Sequence, residues 1–242
     1  MIELGDAIDL APGVDLVGLR LADPIRGCMI PLNDAARLVV SAATIEEAAS
    51  ALTSAGASDG ASDALAFCGV LNTRGLLSVR IPLRARVARR ARAFRYGLVL
   101  HAPVRRVAVR GPSGVARGLA VPALVLMLAL APVGVVAGVV GLAAAAATGA
   151  GIVLHEVGHA LALRGVPYAL ILDGLRPELL HRRLGVVRRR SVAIAGPLLP
   201  AAAAVALSLA FRPVAPVVAP LAAHALALSV LADDGRNACG LS

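Results

Sequence analysis

The chain has 242 residues, 58% of them hydrophobic, 16% charged and 2% aromatic, and its 24 basic residues, all Arg, exceed 15 acids to give a net charge of +9. Soluble domains are about 45–50% apolar and about 25% charged, so the composition excludes an ordinary soluble globule, and its hydrophobicity excludes a disordered chain. The apolar excess is Ala, Val and Leu with no Trp, which suits lipid-facing helices and makes a membrane protein the first expectation.

Charge is unevenly distributed. Residues 1–73 carry ten acids against three Arg (−7), residues 74–117 carry twelve Arg and no acid, and residues 118–242 carry nine Arg and five acids. A pI near 11.2 raises nucleic acid as a partner, but the basic block directly precedes a long apolar stretch, and juxtamembrane Arg facing anionic headgroups is the better reading. Cys28, Cys68 and Cys239 are scattered, which fits neither a disulfide framework nor a thiolate zinc site and suits a reducing compartment. The first ten residues are acidic and do not resemble a signal peptide.

In chain order, residues 1–79 read as a small α+β domain. Residues 14–21 and 27–32 suggest strands, and Asn33 or Asp34 can cap a helix over 35–42. Thr44 with Glu47 has the capping-box spacing, opening a helix through about Leu52. Residues 53–62 form a loop, Asp63 begins a helix over 64–71, and 75–79 is a last strand. Residues 80–117 are a basic juxtamembrane segment. Its stretch 80–95 interleaves Arg with apolar residues and reads as a helix lying on the cytoplasmic leaflet.

Between Arg117 and Arg164 the only ionisable groups are His155, Glu156 and His159, and the run is long enough for two spans of about 20 residues each. These are expected at 119–139 and 142–163, with further spans at 191–211 and 213–232. Residues 118–242 thus form a four-helix membrane domain. The Arg-rich segments before the first span and after the second place both termini in the cytoplasm of a multi-pass membrane protein.

The sequence His155-Glu156-Val157-Gly158-His159 is HExxH inside an apolar helix. Histidines at i and i+4 share a helix face, so both imidazoles can bind one Zn²⁺, and Glu156 can accept a proton from water activated by the ion. Ionisable groups in hydrocarbon cost a few kcal/mol each, which metal coordination explains and chance does not. A catalytic zinc takes three protein ligands. Asp173, followed by Gly174, reads as a turn, and His224 and Asp234 remain as candidates for the third. His224 matches the depth of His155, whereas Asp234 reaches the metal only if the fourth span unwinds.

HExxH followed by Ala160-Leu161-Ala162, then Ala195-Gly196-Pro197, then Asp234-Gly235, resembles the site-2 protease family of intramembrane zinc metalloproteases over roughly 118–236. The resemblance implies that Asp234 is the third ligand. This chain departs from the family in having Pro200 where Asn is common after Gly-Pro, and in lacking the usual Asn and Pro before Asp-Gly. The first 70 or so residues, with Leu32-Asn33, 44–52 and 67–77, are similar to the PqqD-like recognition element of peptide natural-product pathways, a small winged-helix domain that binds a leader peptide as an added strand. Together the two resemble the intramembrane proteases of ribosomal peptide maturation, particularly the daptide type. The implied activity is removal of a leader from a precursor peptide. The implied partners are that peptide, the bilayer and other peptide-modifying enzymes, with no nucleic acid. Rival readings are a regulatory site-2 protease that frees a membrane-tethered factor, a membrane-anchored winged-helix regulator and a zinc transporter.

Overall fold

The computed structural model describes residues 2–95, 103–136, 138–173, 176–210, 215–228 and 234. The chain is mainly helical with small sheets and divides into two compact units. The first comprises Met1–Ala108 with Ile171–Arg176, and the second Val109–Leu170 with Pro177–Ser242.

In the first unit, β1 (Ala7–Leu10) is followed by a meander of β2 (Asp15–Val17), β3 (Arg20–Asp23) and β4 (Cys28–Pro31). The single strand expected over 14–21 is therefore a hairpin. Gly18 takes φ +60°, a conformation that strands exclude, and the chain reverses there to pair Leu16 with Leu21. Helix α1 (Asp34–Ser41) is capped by Asn33, whose side chain accepts from the Ala36 amide. Helix α2 (Ile45–Ser54) opens with the Thr44–Glu47 pair. Thr44 Oγ1 accepts from the Glu47 amide, and Glu47 accepts from the Ala43 amide. Helix α3 (Gly60–Thr73) starts earlier than Asp63, because Asp59 supplies the cap by accepting from the Ser62 amide. Strand β5 (Leu77–Arg80) pairs antiparallel with β1. Leu21, Ile45, Leu76 and Leu77 are wholly buried in the resulting core.

Helix α4 (Leu83–Arg95) and strand β6 (Arg105–Ala108) complete this unit, and polar ties hold both. Arg89 makes paired hydrogen bonds of 2.7 Å to Asp6 and an ion pair of 3.0 Å to Glu3. Arg106, with its side chain wholly buried, donates to both oxygens of the equally buried Asp23 at 2.8 and 2.9 Å. The buried Asn72 donates to the carbonyls of Leu77 and Val104 and accepts from the Val104 amide. The acidic N-terminal segment and the basic segment after it thus belong to one folded body. Across that body fourteen Arg face eleven acids, so the −7 of residues 1–73 is not the charge of a free-standing domain.

The second unit is built from α5 (Gly111–Val136), α6 (Gly138–Ala162), α7 (Val186–Ala210) and the short α8 (Ala215–Ala223). The first three are long and apolar enough to cross a membrane. Their outward positions, such as Val121, Leu128, Val139 and Leu209, are exposed, as lipid-facing side chains are. Helices α5 and α7 begin before the expected 119 and 191, because Arg ends an apolar run without ending a helix. The fourth expected span does not run straight over 213–232 among the described residues. Helix α8 stops at Ala223, and a 3₁₀ segment, His224–Leu228, follows. The segment 164–190, expected only as an Arg-rich loop, contains β7 (Tyr168–Asp173) and β8 (Arg176–His181). Burial of Ala169, Leu170, Ile171 and Leu172 explains why the chain extends there.

Candidate metal centre

The HExxH residues occupy the last two turns of α6, with His155 and His159 on one face. Their Nε2 atoms lie 3.1 Å apart. Asp234 Oδ2 stands 3.1 Å from Nε2 of His155 and 3.5 Å from Nε2 of His159. Ligand atoms around a tetrahedral ion with bonds of about 2.0–2.1 Å are separated by about 3.3 Å, so the triangle has the size of a metal site. Two imidazoles and a carboxylate converging on one point can hold a metal ion.

Helix α7 orients one of these ligands. His159 Nδ1–H donates to the Val192 carbonyl at 2.7 Å, which leaves the lone pair on Nε2 for a cation. His155 Nδ1 is buried without a hydrogen-bond partner among the described residues, so among these only His159 of the two rings has its tautomer set by a protein group. The helices approach closely because glycines face the contact. A methyl group on Gly196 would collide with the His159 ring, and one on Gly158 would collide with the Ala195 carbonyl. The Arg188 guanidinium ties the start of α7 to the end of α6 by donating to the Arg164 carbonyl. We expect Gly196→Ala to lower metal affinity at least tenfold by displacing the His159 ring, while Leu198→Ala, on the exposed side of the same helix, leaves affinity unchanged; zinc titration of the two purified variants checks this.

The other sequence candidates fall elsewhere. His224 opens the 3₁₀ segment, and its ring is tilted against His155 with centroids 5.3 Å apart, outside the three-ligand group. It fits there because Gly151 of α6 has no side chain to meet the His224 ring. Asp173 ends β7 exposed and takes no part in the group, while Gly174, its expected turn partner, and Gly235 lie outside the described residues.

Glu156 is 7% exposed and shares with the three ligands a cavity of about 410 Å³. Strand β8 contributes Glu178 and His181 to its wall, and α7 contributes Arg189. His181 Nδ1–H donates to the Arg182 carbonyl, leaving its other ring nitrogen as an acceptor. Arg189 Nε is buried without a hydrogen-bond partner among the described residues. None of the three stands out in the sequence, where residues 164–190 read only as an Arg-rich loop. The apolar run Ala169–Leu172 is the signal in the sequence that part of this segment is extended. Comparison of the chain with protein families, with curated proteins and with solved structures finds no match.

Proposed function

We propose that the chain is an intramembrane zinc metalloprotease that removes the leader from a ribosomally made precursor peptide at the cytoplasmic side of the bilayer. One observation carries the reading: His155, His159 and Asp234 converge on one point at an apolar helix, with Glu156 buried in the wall of the same cavity. Ionisable groups in a membrane helix cost a few kcal/mol each, and a shared cation offsets that cost. Two His and one carboxylate is among the donor sets that catalytic zinc uses.

When bound, a zinc ion supplies Lewis acidity and activates water toward attack. The Glu156 carboxylate accepts a proton from the attacking water and returns it to the leaving nitrogen as the peptide bond breaks. His155, His159 and Asp234 would hold that ion, and the Val192 carbonyl fixes the His159 ring so that Nε2 faces it. A substrate must be locally extended to react, because helical carbonyls are already hydrogen-bonded.

The first unit has its own hydrophobic core, which supports its reading as a winged-helix recognition domain for the leader. The Arg of residues 74–117 and 164–190 favour the cytoplasmic placement of both termini. The test is cleavage of a candidate precursor by the full chain in proteoliposomes. We expect activity that a chelator abolishes and added zinc restores; cleavage indifferent to the chelator overturns the reading.

A further inference from the structure

Helix α4 has one occupied face and one bare face. Arg89 and Ala93, one turn apart, point into the first unit, where Arg89 meets Asp6 and Glu3 and Ala93 is buried. On the opposite side Leu83, Val87 and Ala91 recur every four residues and form a stripe along the helix. Leu83 is 72% and Val87 59% exposed. Arg84 and Arg90 border the stripe, both exposed and without an ion-pair partner among the described residues. No acid occurs anywhere in residues 74–117 to neutralise them.

A solvated linker helix has no reason to keep a Leu and a Val in water on the face turned away from its own core. A helix lying at a bilayer surface does, because its apolar stripe enters the boundary between headgroups and acyl chains while flanking Arg remain with the headgroups. A nucleic-acid groove would be met by the cations themselves, with no use for an apolar centre between them. The bilayer is also close along the chain, since α4 ends at Arg95 and the first membrane-spanning helix begins at Gly111.

From this geometry we infer that α4 is an interfacial helix that docks on an anionic lipid surface, inserting Leu83 and Val87 and binding acidic headgroups through Arg84 and Arg90. The contact is separate from the metal centre and stands whether or not the chain is a protease. Each Arg near an anionic surface contributes about fivefold to partitioning, so the pair is worth about 25-fold. High salt should weaken its share by screening.

The experiment uses the full chain in nanodiscs of phosphatidylcholine alone or mixed equally with phosphatidylglycerol, with an environment-sensitive dye on Ala91→Cys in a Cys28→Ser, Cys239→Ser background. We expect a blue-shifted emission and shielding from an aqueous quencher in the anionic discs, weaker in the zwitterionic ones. Arg84→Gln with Arg90→Gln should remove the difference between the two compositions, and Val87→Glu should return the dye to water in both. Cys68, buried in the core of the first unit, should stay unreactive in every variant, which establishes that the fold is intact. A dye that stays in water in anionic discs overturns the inference, as does shielding that appears only when an oligonucleotide is added.

Discussion

Full-length protein equilibrated with zinc is expected to hold one ion per chain, Glu156→Gln to hold the same, and His155→Ala, His159→Ala and Asp234→Ala each to bind it at least about 100-fold more weakly. The three candidate ligand atoms, separated by 3.1, 3.1 and 3.5 Å, leave one shared point for an ion. Losing a group that merely orients a ligand typically lowers metal affinity 10–100-fold, so losing a ligand costs at least the upper end of that range. Glu156 is not among the three atoms, and exchanging its carboxylate for an amide leaves them in place. The same exchange removes the proton acceptor, and general-base catalysis is worth about 10²–10⁴-fold, so cleavage by Glu156→Gln should fall by that factor with zinc still bound. His224→Ala should bind zinc with unchanged stoichiometry, because its ring rests against His155 from outside the group. Metal analysis beside a cleavage assay reads all five variants. Zinc retained by Asp234→Ala and lost by His224→Ala would reassign the third ligand.

The second large effect is expected far from the metal. Asp23→Asn should destabilise the first unit by about 3–5 kcal/mol, because it leaves the wholly buried Arg106 guanidinium without a countercharge. Replacing both partners by apolar residues, Asp23→Leu with Arg106→Met, should recover most of the loss, since no buried charge then remains. Cys68 reports the opening. It is wholly buried in the core of this unit, and burial pushes its thiol up to about 11, so it reacts only when the unit opens. With 1.4 kcal/mol per factor of ten, the Cys68 labelling rate in a Cys28→Ser, Cys239→Ser background should rise at least about 100-fold in Asp23→Asn.

The same pair has a signed pH dependence. Burial by itself would raise the Asp23 carboxyl, but the hydrogen bonds from Arg106 and the Arg26 amide, with the two guanidinium charges, hold it below the ordinary value. A carboxyl depressed by folding stabilises fully above its unfolded pKa of about 3.9 and loses that contribution as pH falls through the lower folded value. Acid unfolding followed by circular dichroism should therefore show wild-type stability draining below about pH 4, with a shallower slope in Asp23→Asn.

Much of this was legible in the residues themselves. Asn33, Thr44 and Glu47 form the caps their spacing implies, because a cap is a contact between neighbours three residues apart. His155 and His159 share a face by helical periodicity alone, and three of the four spans expected from the apolar runs are helices of membrane-crossing length. The sequence also narrowed the candidates for a third ligand to a short list. It could not choose between His224 and Asp234, because that choice depends on whether the fourth apolar run stays straight, and helix propensity does not decide it.

The tertiary structure decided what lies between distant segments. It ends α8 at Ala223, brings Asp234 to the two histidines, and gives Gly158 and Gly196 their purpose as the places where α6 and α7 touch. It also turns two opposite charge blocks into one body through Asp23–Arg106 and Asp6–Arg89, pairs separated by 83 positions. Local sequence fixes what each residue does to its neighbours a turn or a strand away. Contacts across many tens of residues depend on packing that only the assembled chain supplies, and both the metal triangle and the buried ion pair are contacts of that second kind.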